Sequence, residues 1–259
     1  MKLFKKSKKE NSGRQNIVQE KHPMQIAFEN NLKFLNHESY PEEFFQKLFA
    51  ESEKIKTHVI DQADFPTGEV VLADPLVYLG TKYQTALERK IPKGSYSLEV
   101  SVLLSDMAGI RLAAARLKIK EGNAVCHKLA MPKGHTEEDF NKPGVFSFFG
   151  VDAGMACITD IAAAMEYDEF LRKWHGENPD KNHYDDYFAE YFAESYEKCP
   201  ELQREGGDFI SWKLPKTGCR LIMFASGLGD GMYSGYWGLD EKGEPAELVV
   251  PFLNPEFFI

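Results

Sequence analysis

Between Met24 and about Ser52 the apolar residues recur at helical spacing, Phe28, Leu32 and Leu35 in one stretch, then Phe44, Phe45, Leu48 and Phe49 in the next. Two amphipathic helices follow from this pattern. They are joined through Ser39-Tyr40-Pro41-Glu42, which has the residues of a capping box with proline in the first turn. Such stripes are packing faces, so the pair is read as a helical cover on a sheet. After Pro66-Thr67-Gly68 the period becomes extended: EVVLADPLVYL, GSYSLEVSVLL, RLAAARLKI and AVCHKLAMP, each bounded by Gly, Pro or charge. The short links predict four antiparallel neighbours, with Pro75 interrupting the first strand or placing it at an edge because it donates no ladder hydrogen bond. Met107-Ala108-Gly109 and Glu121-Gly122-Asn123 have the residues of hairpin loops.

A charged loop from Lys133 to Pro143 precedes FSFFGVDAGMACITD, read as an aromatic strand entering a glycine-interrupted turn. The helix IAAAMEYDEFLRKW follows, with Asp160 or Thr159 as its cap. A second helix, YDDYFAEYFAESYEK, gathers Tyr184, Tyr187, Phe188, Tyr191 and Phe192 on one stripe, the pattern of a core face. The closing strands are DFISWKLP, CRLIMFASG and the hairpin MYSGYWGLD…AELVVPF, entered through a tight Gly-Asp-Gly turn. Strands, a helical insertion and strands again predict an α+β fold, a mainly antiparallel sheet or sandwich with N-terminal helices and a two-helix insertion. Residues 1–22 are read as a disordered basic tail and residues 23–259 as a single α+β domain, with 23–60 the helical cover and 66–259 the β-rich body.

Composition narrows the function classes. The 259 residues are 43% hydrophobic and 27% charged, ordinary for a globular protein, and the 19 Phe and 11 Tyr predict an aromatic core. MKLFKKSKKENSGRQ carries six basic residues against Glu10, so removing it takes the net charge from −9 to −14. That balance argues against nucleic acid and favours a basic protein partner. No apolar run has the length of a signal peptide or a membrane span, which predicts a cytoplasmic protein. Cys126, Cys157, Cys199 and Cys219 form no C-x-x-C pair, so free thiols are expected and neither a zinc ribbon nor a disulfide framework.

Gly227-Leu228-Gly229-Asp230-Gly231 has the composition of a phosphate loop, but an aromatic strand follows it, where an anion site would need a helix N-terminus. It is read as a turn. Asp152, Asp160, Asp208 and Asp230 border turns or elements, where aspartate caps and bonds backbone, and Asp152, Asp160 and Asp230 are also the candidate carboxylates for a binding site. No metal site, cofactor or catalytic residue is assigned from spacing. Histidines at H-x-x-x-H spacing and a G-x-S-x-G elbow around Ser226 are both absent from the sequence. Tyr233, Tyr236 and Trp237 complete the candidate binding set, because on one continuous strand their rings would divide between two faces and leave at least one exposed.

The series TGEVVLADPL, IPKGSYSLEVS, RLAAARLKI, GVDAGMACITD and GLGDGMYSGYWGLDEKGEPAELVVPF resembles a bacterial family of unknown function, domain number 4241, from about Gly68 to Phe252. The resemblance implies a bacterial setting and carries over no activity or catalytic residue. Two functional readings remain open. One is a non-catalytic protein-binding factor, of immunity or accessory type, holding a basic partner. The other is a divalent-metal-dependent hydrolase in which Asp152, Asp160 and Asp230 converge on one cation.

Overall fold

The computed structural model describes residues 21–35, 39–140 and 142–259. Two helices, α1 (Pro23–Leu35) and α2 (Glu42–Leu48), come first. Strands β1 (Ile55–Phe65), β2 (Val70–Ala73), β3 (Thr85–Ala86), β4 (Gly94–Ser105), β5 (Gly109–Lys118), β6 (Cys126–Leu129), β7 (Phe149–Val151) and β8 (Met155–Asp160) follow. Helix α3 (Ile161–Glu177), a π-helical turn at Tyr184–Phe188 and α4 (Ala189–Lys198) then precede β9 (Phe209–Lys213), β10 (Arg220–Ala225), β11 (Gly231–Tyr233), β12 (Tyr236–Leu239) and β13 (Pro245–Pro251).

The first sheet has the order β1-β4-β5-β13-β12-β6 and the second β3-β2-β8-β10-β9, while β7 and β11 pair separately; among the described residues these strands all pair antiparallel. Leu98, Val100 and Val102 of β4 alternate into a core shared by both sheets, with Leu117 from β5 and Leu248 and Val250 from β13. From the second sheet Leu72, Ala156, Ile158 and Ile222 join the same core. Each of these Leu, Ile and Val side chains, fully buried, contributes roughly 1.5–3 kcal/mol. The outer face of the first sheet carries a second apolar cluster, where Phe44, Phe45 and Leu48 of α2 meet Leu103, Ala114, Tyr236 and Val249. Ala163, Ala164 and Tyr167 of α3 and Phe188 and Phe192 beyond it cover the second sheet. Four layers result: helix, sheet, sheet, helix.

Several elements differ from the sequence reading. In α1 the buried residues are Ala27 and Asn31, while Phe28 and Leu32 stand exposed, because the helix is anchored through the Asn31 carboxamide accepting the Asn254 N–H at 2.8 Å. Ser39 caps nothing; α2 starts after Pro41 with no side-chain cap, and Glu42 is drawn across to His127. The stretch read as the end of the helical cover is strand β1, half-buried along most of its length and bulged between Val59 and Asp61. Of the four strands expected side by side only β4 and β5 are neighbours, since β2 lies in the second sheet and β13 and β12 separate β5 from β6. The Glu121-Gly122-Asn123 loop is therefore a crossover, while Met107-Ala108-Gly109 does close the β4–β5 hairpin. The second half of FSFFGVDAGMACITD is β8, a central strand buried at all six positions. The Gly-Asp-Gly turn feeds β11, which pairs with β7, and the chain bends at Ser234-Gly235 before the β12–β13 hairpin. Tyr233, Tyr236 and Trp237 consequently do not share one strand, and all three are buried, at 7%, 3% and 3% exposure. The expected tail, residues 1–22, lies outside the described residues except for Lys21 and His22, and no described helix is long and apolar enough to cross a membrane.

Candidate functional site

In the second sheet the antiparallel order places the end of β2, the start of β8 and the end of β10 at one edge. Three loops meet there. Asp74, immediately after β2, is fully buried and accepts backbone N–H groups from Leu76 at 2.8 Å, Asp152 at 3.0 Å and Ala153 at 2.7 Å. Burial raises its carboxyl above the usual range against the pull of those donors, with neighbouring Asp152 adding to the rise. One buried side chain thus sets both its own turn, begun at Pro75, and the turn that enters β8.

Gly154, at φ +65°, locks the second loop to the third: its N–H donates to Asp230 at 2.9 Å and its carbonyl accepts from Ser226 N–H at 3.0 Å. Within the third loop the Ser226 hydroxyl donates to the Gly229 carbonyl at 2.8 Å. The buried Tyr233 hydroxyl lies 3.0 Å from the carbonyl oxygen of Ser226 and 2.8 Å from that of Gly229, and burial pushes its pKa up to about 12. The glycine-rich turn is therefore closed on its own carbonyls, which agrees with its reading as a turn. Asp152 and Asp230 both remain exposed beside Gly154. The Tyr78 hydroxyl donates to Asp152 Oδ2, and that bond, before all else, holds the phenol above its ordinary range. Asp152 Oδ1 and Asp230 Oδ2 accept no hydrogen bond among the described residues.

Exposed apolar side chains stand on the segments around these carboxylates. A Cβ on Gly150 would lie 3.3 Å from the Tyr78 ring, so the glycine lets Tyr78 lie on β7. Met232 faces Gly150 across the β7–β11 ladder and shares that face. Tyr83 packs on Tyr78 with ring centroids 6.1 Å apart, and Phe146 on Phe148 at 5.3 Å. Tyr83, Phe146 and Met232 are 64%, 60% and 67% exposed.

Of the residues singled out from the sequence, Asp152, Asp230 and the buried Tyr233 come together here. Asp160 does not. It lies at the opposite end of β8, fully buried, accepting from Thr67 N–H and Oγ1, Gly68 N–H and Ala162 N–H. Asp208 is held by the backbone and guanidinium of Arg204. Tyr236 packs against Tyr40 and Phe45 beneath α2, and Trp237 belongs to the core between the sheets. Among the described residues no three His, Cys, Asp or Glu side chains are grouped as a metal ion would require. The four cysteines are free, and burial drives the Cys157 thiol well above its ordinary pKa. Asp74, Tyr78, Tyr83, Phe146 and Met232 escaped the sequence reading. The one signal for them was the Asp-Pro pair ending an apolar strand, which marks a turn fixed by its aspartate.

A family model described as "Protein of unknown function (DUF4241)" matches residues 63–250, which include all three loops. No curated protein and no solved structure matches the chain.

Proposed function

We propose that this chain, which belongs to the DUF4241 family, is a non-catalytic binding protein that holds a basic protein partner at the three-loop edge of its second sheet. The supporting observation is the exposure of Tyr83 and Met232 on either side of Tyr78, whose hydroxyl bonds Asp152, and of Phe146 on the segment leading into β7. Large apolar side chains kept in water next to acceptors suit a partner that brings an apolar anchor and a Lys or Arg. The loops beneath are fixed by Asp74, Gly154 and Tyr233, so little ordering would accompany binding. The anchors would supply most of the affinity, and the carboxylates would select the partner and speed encounter. The metal-hydrolase reading needed Asp160 to join Asp152 and Asp230, and its side chain is committed at the other end of β8.

The test is affinity capture from the organism that encodes the protein, with the wild-type chain and the Met232→Asp and Asp152→Lys/Asp230→Lys variants side by side at low and moderate salt. The wild type should retain one stoichiometric protein of basic pI that each variant loses by about tenfold or more. Equal recovery on all three baits would reject the surface.

A further inference from the structure

The outer face of the first sheet carries a row of charged groups that the three-loop surface does not use. At its end is His127 on the edge strand β6, its side chain only 4% exposed. The Glu42 carboxylate, at the start of α2, accepts the His127 backbone N–H on Oε1 at 2.6 Å and lies 2.7 Å from Nδ1 through Oε2. The other ring nitrogen, Nε2, lies 3.2 Å from Glu247 Oε1 on β13. It reaches there across Gly238 of β12, where a Cβ would stand 2.6 Å from Glu247 Cγ and 3.0 Å from Nε2. Phe45 of α2 stacks flat on the imidazole at 3.9 Å and 6°.

We propose that His127 is a proton-dependent clasp that fastens α2 to the first sheet, tight when both ring nitrogens carry hydrogen and looser when one is lost. A neutral imidazole has one N–H, so it can serve one carboxylate while presenting a lone pair to the other. An imidazolium serves both. Charge counting agrees. The carboxylates facing the row are Glu42 from α2, Glu247 from β13 and Glu99 from β4. Against them stand Arg116 and Lys118 from β5, Arg116 bonding Glu99 at 2.6 Å and Lys118 bonding Glu247 at 3.3 Å. β12 contributes Gly238, without a side chain, and Lys128 of β6 is paired with Glu137. Three carboxylates and two fixed cations leave room for one more positive charge, and among the described residues His127 lies between two of those carboxylates. The far end of α2 lies on the same row, with Arg116 over the Phe49 ring at 3.9 Å. Loss of the proton therefore weakens the attachment of the helical layer at its first residue.

Hydrogen exchange of the full-length chain, corrected for the intrinsic pH dependence of exchange, tests the clasp between pH 5.5 and 8.5, where histidine is the side chain that ordinarily changes charge. Peptides covering α2 should lose protection by about threefold to tenfold relative to β4 and β5 as pH rises. His127→Gln and the half-exposed Glu42→Gln should each flatten that dependence, and the second keeps the test available should the first fold poorly. A wild-type α2 whose protection does not change with pH, or a Glu42→Gln chain with the wild-type slope, would overturn the proposal.

Discussion

A Cβ on Gly227 would stand 2.8 Å from Phe252 Cβ and 3.2 Å from the Leu112 carbonyl oxygen, at a φ of +68°. Both contacts are with the packed interior, so neither neighbour has room to give. Gly227→Ala should cost about 2 kcal/mol, from left-handed backbone strain and overpacking together, read as a lower denaturation midpoint at unchanged m-value. Gly229, two residues further along the same turn, also has positive φ but open space around its Cβ position. Its alanine variant should cost less, and the difference between the two isolates the packing contribution. Tyr233→Phe removes the hydroxyl that faces the carbonyls of Ser226 and Gly229 and should cost about 1–2 kcal/mol while leaving the Asp152 and Asp230 carboxylates in place.

Asp160 illustrates how an element can absorb a residue whose type suggested chemistry. It caps α3 through the Ala162 N–H and ties the Thr67-Gly68 turn to the same strand end. Asp160→Ala strips several donors of their acceptor at once and should lower stability by about 2–4 kcal/mol, while partner capture by the fraction that folds stays at the wild-type level. Glu247 sets the acid side of the α2 attachment. Burial alone would raise its pKa, yet the hydrogen bond with His127 and the charges of Arg116 and Lys118 hold it below the ordinary value. A depressed carboxylate contributes stability above its unfolded pKa and loses it as pH falls toward the folded one. Protection of α2 should therefore also decline as pH falls through about 4.3, where an unfolded glutamate is half protonated, toward the lower folded value. Strands with one solvated or helix-facing side were legible from alternation, as in β4, where Leu98, Val100 and Val102 take turns with polar neighbours. β8 was not, because α3 and the first sheet bury both its faces and remove the alternation. β1 was missed for the opposite reason, its partial burial and bulge blurring the period.

At the scale of the whole molecule, the sandwich brings residues as distant as Asp74, Asp152 and Asp230 to one edge and parts Asp160 from them by the length of a strand. In the sequence Asp152, Asp160 and Asp230 were equal candidates beside small-residue turns, and nothing local separates Asp160 from the other two. Exposure of Tyr83, Phe146 and Met232 is a tertiary property that no local pattern carries, so the apolar half of the surface was invisible. Long-range charge acts here too: −14 outside the first fifteen residues predicts partner association that slows as salt rises from 50 to 300 mM, measurable by stopped flow once the partner is in hand. The most direct measurement is photocrosslinking in the organism that encodes the chain, with a benzophenone amino acid placed at Met232, at Phe146 or, as an exposed control on β1, at Val59. One shared adduct is expected from positions 232 and 146, weakened by Asp152→Lys and absent from position 59. Equal adducts at all three positions, or none from 232 and 146, would contradict it.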